Sequence, residues 1–306
     1  MSAQVLRYAA FTDKGTGGNP AGVVLGAGTL TDAQMLAIAA AIGYSESAFV
    51  VDGPNEPGGR AEGPNVATVR FFSPVAEVAF CGHATVATAV ALAERHGPSS
   101  LKLAARAGPV TVTTHQEGGA FVATLTSPPT RTMPIDEAVL DAALAALGWG
   151  RSDLDPRYPV HVAFAGNDHL VLGVRRRDTL AALDYDYPAL AALMAEQGWT
   201  TAHLFWPESA TTFQVRDPFP PGGVVEDPAT GAAAAAFGGY LRDLALVPLP
   251  ARLTLHQGVD LGRPSLLLVD VEDDTRTVRV TGTATPLASS PYDGHSPDPT
   301  HNRSTA

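Results

Sequence analysis

The sequence predicts an α+β protein of two similar halves, each a sheet curled around one buried helix. Two segments carry that expectation. Gly82-His83-Ala84-Thr85-Val86-Ala87-Thr88-Ala89 and Gly231-Ala232-Ala233-Ala234-Ala235-Ala236-Phe237-Gly238 are rich in small residues on every side, and a helix that is apolar all round has to be buried all round. Each lies among short strand-like runs, at matching places in the two halves.

The elements follow in order. Residues 5–11 read as a strand, the Gly/Asn/Pro run 15–20 as a loop and 21–25 as a short buried strand. Thr31 or Asp32 caps a helix whose apolar stripe is Met35, Leu36, Ile38 and Ala39, and Gly43 ends it. Strands at 45–51, 66–72 and 77–80 surround a Gly- and Pro-rich surface loop at 52–64. Gly82 opens the first central helix, which runs to about His96, and strands at 101–105, 110–114 and 121–125 follow. Pro128 and Pro129 break ladder and helix alike and mark an interdomain hinge. The second half has a helix from Pro134-Ile135-Asp136 to Leu147 and Gly148, then strands at 161–165, 169–174, 203–206 and 213–216. Gly231 opens the second central helix, to about Leu244, and strands at 252–256, 265–271 and 277–281 close the count. Residues 1–127 are read as the N-terminal lobe, 128–276 as the C-terminal lobe, and 288–306, rich in Ser, Pro, Asp and His, as a disordered tail.

Composition narrows the function. Hydrophobic residues make up 45% and charged residues 17%, which suits a chain with a sizeable core. With 20 Lys+Arg against 31 Asp+Glu the net charge is −11, which opposes nucleic-acid binding and docking on an anionic membrane. The single cysteine, Cys81, excludes an internal disulfide and a thiolate-rich metal site. The N-terminus lacks a basic segment followed by an apolar core, and no apolar stretch approaches the roughly 20 residues of a membrane helix. A cytoplasmic location is expected.

Several residues are candidates for chemistry. Gly82 and Gly231 stand at helix starts, where unpaired N–H groups and the positive dipole end suit a carboxylate; the alternative is that both glycines only permit tight turns. Glu46 enters an apolar strand, where burial makes a carboxylate more basic, as a general base requires; alternatively it faces solvent on an alternating strand. Asp227 precedes Pro228 and is held stiffly before the second central helix, as a site residue or merely as a cap. Cys81 and His83 could form a nucleophile pair, but residues so close at a helix start seldom face each other, and a free cysteine is usually a small buried hydrophobe. The Gly15–Pro20 run lacks the Lys-Ser/Thr of a P-loop, no GxGxxG opens a helix, no GxSxG elbow exists and no His pair has metal-ligand spacing. Acid/base groups without a cofactor or metal signature favour proton transfer on a carbon acid.

Five segments together resemble the PhzF-like family, named for a phenazine-biosynthesis isomerase and related to diaminopimelate epimerase and proline racemase. They are Gly18-Asn19-Pro20-Ala21-Gly22-Val23-Val24-Leu25; Tyr44-Ser45-Glu46-Ser47-Ala48-Phe49-Val50; Arg70-Phe71-Phe72-Ser73-Pro74 with Glu77-Val78-Ala79-Phe80-Cys81-Gly82-His83-Ala84-Thr85; Glu226-Asp227-Pro228-Ala229-Thr230-Gly231; and Gln257-Gly258 with Gly262-Arg263-Pro264-Ser265. The resemblance implies two mixed β-barrels, each around a central helix, with the active site between them and the last strand, 277–287, returning to the first lobe. It implies Glu46 as main acid/base, His83 and Asp227 as its polar partners, Asn19, Gly82, Gly231 and Ala232 around the substrate, and no cofactor. Ala232 departs from the family, which usually has Ser there, so a hydroxyl is lost beside the substrate. With one thiol, symmetrical two-cysteine racemisation is impossible.

The expected function is therefore a cofactor-independent isomerase of a small carboxylate-bearing metabolite. The alternatives are a Cys81-dependent epimerase or hydrolase, and a non-catalytic metabolite-binding protein on the same fold. The expected partners are the substrate and a second copy of the chain, with no nucleic acid and no membrane.

Overall fold

The computed structural model describes residues 3–52 and 65–288. The expected surface loop, apart from Asp52, and the expected tail, apart from Ala288, lie outside the described residues. The first lobe contains β1 (Gln4–Ala10), β2 (Asn19–Leu25), α1 (Asp32–Ile42), β3 (Ser47–Asp52), β4 (Val66–Phe72), β5 (Glu77–Val78), α2 (Gly82–His96), β6 (Ser100–Ala105), β7 (Gly108–Glu117) and β8 (Ala120–Thr126). The second contains β9 (Arg131–Pro134), α3 (Glu137–Leu147), β10 (His161–Phe164), β11 (Asp168–Gly173), α4 (Arg177–Ala181), α5 (Tyr187–Gln197), β12 (Trp199–Pro207), β13 (Thr212–Pro218), β14 (Glu226–Asp227), α6 (Gly231–Asp243), β15 (Ala251–Gln257) and β16 (Ser265–Val271). A last strand, β17 (Val278–Pro286), follows.

Strand pairing closes the first lobe into a mixed barrel in the order β1, β2, β3, β4, β6, β7, β8, β17 and back to β1. The second sheet runs β9, β10, β11, β12, β13, β15, β16 and meets the same β17. β17 is thus hydrogen-bonded into both sheets. Parallel pairs need a crossover. In each lobe one crossover helix runs through the middle: α2 joins β4 to β6, and α6 joins β13 to β15.

The central helices are buried along nearly their whole length, from His83 to Ala93 in α2 and over most of Gly231 to Leu241 in α6. Small residues let the sheets close on them. A Cβ on Gly238 would sit 3.0 Å from the side chains of Val269 and Val271, and one on Gly239 would collide with Thr130. Glycine costs a helix interior roughly 1 kcal/mol relative to alanine, and here that cost is offset by the close approach of the sheet. Phe237 fills the other face and packs edge-on against Phe213 with ring centroids 4.9 Å apart.

Local signals worked where they were strong. Thr31 caps α1 through Gln34 N, and Gly43 ends it in the left-handed region at φ 73°. Gly148 ends α3 at φ 67°. Two helices and two strands escaped the sequence reading: α4, α5, β9 and β14. α5 carries an Asp186 cap, a proline in its first turn and a left-handed Gly198, but only Leu190 and Met194 are buried, too short a stripe to declare a period. Pro128 and Pro129 lie in a link tied down on both sides, by Ser127 N to Val278 O at 2.9 Å and Thr130 N to Arg276 O at 2.8 Å.

The close packing of α6 yields a prediction. Gly239→Ala should destabilise the protein by about 1–3 kcal/mol through overpacking, although alanine is the better helix former. Urea denaturation checks it, and a stabilised variant would contradict the packing argument.

Candidate active site

The first turns of α2 and α6 meet. A Cβ on Gly82 would lie 3.8 Å from Gly231 Cα and 3.9 Å from Ala232 N, so the two helix starts stand within van der Waals reach of each other. Among the described residues no side chain caps either helix start, which leaves first-turn N–H groups of both helices available to a ligand. Beside them lies a cavity of about 70 Å³. Its walls include Glu46, Cys81 and His83 from the first lobe and His169, Asp227 and Ala232 from the second.

Glu46 stands in the turn between Gly43 and β3, one residue before the strand in which it was expected. Its side chain is 15% exposed, and Oε2 lies 3.6 Å from His83 Nε2. Burial pushes the His83 imidazole below its ordinary range, against the opposing pull of Glu46 and of a hydrogen bond to the Pro20 backbone. His83 is therefore neutral near pH 7, and its contact with Glu46 is a polar one that fixes the carboxylate in the cavity.

Asp227 is not a helix cap. Thr230 is the cap residue of α6, and no side chain bonds the first-turn amides. Instead, Asn19 Nδ2 donates to Asp227 Oδ1 at 2.7 Å and the Thr230 hydroxyl donates to Oδ2 at 2.6 Å. Gln257 locks the turn by donating to Asp227 O at 2.7 Å and accepting from Thr230 N at 3.0 Å. Burial raises the Asp227 carboxyl to about 8, with the charges of Glu46 and Asp217 adding to the rise and the bonds from Thr230 and Asn19 opposing it. It thus holds a proton at neutral pH. Asn19, expected at the substrate, stands behind Asp227: the second bond from its amide goes to Ala229 O at 3.2 Å.

Glu226 and Asp227 do different work because successive strand residues face opposite ways. Glu226 turns from the cavity onto Arg216, whose Nη2 lies 2.6 Å from Oε2. Arg216 Nη1 also donates to the carbonyls of Leu180 and Ala181, so this buried pair anchors α4 behind the site.

Cys81 and His83 do face each other, against the sequence expectation. Cys81 has extended backbone at the helix start, φ −145° and ψ 117°, which folds its side chain over the first turn and brings Sγ to 3.3 Å from His83 Nδ1. The thiol of the pair is held in its unreactive, protonated form. Burial, then the charge of Glu46, pushes the thiol well above its ordinary range, and the thiolate is the reactive form. The donor atoms of Glu46, Cys81 and His83 lie within 4.8 Å of one another, a grouping that no sequence spacing announced. A protonated thiol does not ligate a cation until it loses its proton.

Residues 8–290 match the family model described as phenazine biosynthesis-like protein. The chain belongs to that family. Like the relatives whose names follow, it is an isomerase. An uncharacterized isomerase of Deinococcus radiodurans is 33% identical over 89% of this chain and 88% of its own length. A trans-2,3-dihydro-3-hydroxyanthranilate isomerase of Pseudomonas fluorescens is 32% identical over 86% of this chain and 88% of its own. The crystal structure of a phenazine biosynthesis protein of the PhzF family from Bacillus anthracis superposes with a TM-score of 0.81 at 25% identity, covering 94% of this chain and 98% of that one. This chain therefore has the α+β, diaminopimelate epimerase-like fold.

Sequence reading missed His169, Thr201 and Phe219, which also line the cavity. A histidine and a threonine on apolar strands were the available signal, but only the parallel register that sets His169 opposite Thr201 brings them together.

The raised Asp227 carboxyl has a consequence for stability. An acid whose folded pKa exceeds its unfolded value contributes stability that is complete below the unfolded pKa, 3.8, and is lost as pH rises through about 8. Asp227→Asn removes that dependence. Urea denaturation from pH 5 to 8.5 should show the wild type losing stability relative to the Asn variant, and a pH-independent difference would contradict the buried, protonated carboxyl.

Proposed function

We propose that this isomerase moves a proton on a carbon atom of a small carboxylate-bearing metabolite without a cofactor. The observation that carries the reading is the pairing of two carboxyl groups from different lobes in one cavity, one of them kept protonated. Environments that push two acids apart in pKa assign one as base and the other as acid. Glu46 removes the C–H proton. Asp227 presents its proton to the part of the substrate on which negative charge develops, and Glu46 redelivers its own proton to a neighbouring carbon. His83 keeps the Glu46 carboxylate aimed. The N–H groups of Gly82, Gly231 and Ala232 hold the substrate carboxylate.

The name of the Pseudomonas fluorescens relative makes trans-2,3-dihydro-3-hydroxyanthranilate the first compound to try. Small carboxylates assayed for proton exchange in D₂O widen the search. Absence of turnover and of exchange across that set would favour a binding protein, the reading that Ala232 in place of the family's usual Ser left open.

Glu46→Gln keeps the shape and removes the base, so activity should fall by about two to four orders of magnitude with an unchanged circular dichroism spectrum. A near wild-type rate would end the proposal. Cys81→Ala should keep most of the activity, because a protonated thiol does no chemistry. A loss as large as that of Glu46→Gln, in a folded variant, would favour the thiol mechanism instead.

A further inference from the structure

His169 is fully buried on β11 and borders the cavity. A chain of hydrogen bonds fixes its tautomer. The Thr201 hydroxyl donates to Asp217 Oδ1 at 3.1 Å. A hydroxyl has one proton to give, so toward His169 Thr201 can only accept. The proton of the His169 ring therefore sits on Nδ1, which lies 2.8 Å from Thr201 Oγ1. Burial, then the neighbouring His203, depresses the ring's pKa to about 3, so the ring is neutral. Nε2 is left as a bare lone pair, buried and without a hydrogen-bond partner. His203 shares the arrangement, with Nδ1 on Asp217 at 3.2 Å and an unpartnered Nε2. Its ring, however, packs on Phe237 with centroids 4.9 Å apart and does not line the cavity.

An unpartnered buried acceptor costs free energy unless something arrives to fill it. Resting on the reading of the cavity as the substrate site, we propose that His169 Nε2 accepts a hydrogen bond from a hydroxyl or amino group of the substrate. The site then selects carboxylates that carry such a donor. The helix starts recognise one end of the molecule and His169 the other, with Thr201 and Asp217 as positioning residues. A substrate lacking the donor would leave Nε2 desolvated and empty, which is how a polar site rejects an apolar analogue.

Binding of inert ligands tests this apart from turnover. The probes are benzoate and its 2-hydroxy, 3-hydroxy and 2-amino derivatives, titrated into the full chain by calorimetry. The wild type should bind at least one derivative about ten-fold more tightly than benzoate, the size of one neutral hydrogen bond. In His169→Phe that preference should fall to about one while benzoate affinity holds. With ¹⁵N-histidine in the wild type, the His169 Nε2 resonance should mark a neutral ring protonated at Nδ1, and it should shift on saturation with the preferred derivative but not with benzoate. This second readout stands even if the Phe variant does not fold. An unmoved Nε2 resonance, or a Phe variant with the wild-type preference, overturns the proposal. An intact preference in a protein without turnover would count against the isomerase mechanism and support the role of His169.

Discussion

The contact of two helix starts governs the molecule. Gly82 and Gly231 bring the first turns of α2 and α6 together, and those turns belong to different lobes. Two sheets must wrap two small-residue helices for the starts to reach each other, and β17 must pair with both sheets. Phe11 reinforces the joint. It adopts φ 60°, an uncommon backbone state for an aromatic residue, and its ring lies 3.5 Å from the Cβ position of Gly231.

The site chemistry follows from that joint. A carboxyl buried in the wall of the cavity between the lobes, as Asp227 is, loses solvation. Glu46, Asp217 and Asp227 crowd the same region, so charge repulsion adds to burial in keeping the Asp227 proton. Asn19 and Thr230 hold the carboxyl in place. The same two-residue strand sends Glu226 the other way, onto Arg216, so one acidic dipeptide supplies both an anchor and a carboxyl that lines the cavity.

Much of this was legible in the sequence. Caps such as Thr31 and left-handed glycines such as Gly43 and Gly148 declare helix ends locally, and the all-round smallness of α2 and α6 declared their burial. Glu46 and Asp227 stood out locally, as a carboxylate entering an apolar strand and one stiffened by Pro228, but their grouping with His83 was legible only through family motifs, because no local pattern says that a turn before β3 meets the start of α2. The chain His169–Thr201–Asp217 was not legible at all: it depends on the register of β11 on β12 and on the packing of β13. The contact of Cys81 with His83 was misjudged because an extended residue at a helix start turns its side chain across the first turn, where helical periodicity does not apply.

Asp227 keeps its proton in a cavity that it shares with Glu46. A ¹³C titration of the Asp227 carboxyl, assigned with Asp227→Asn, measures this directly. The expected midpoint is near 8 in the wild type and lower in Glu46→Gln, where the repelling charge is gone. A midpoint in the ordinary aspartate range near ~4, or one that Glu46→Gln leaves unmoved, would contradict it.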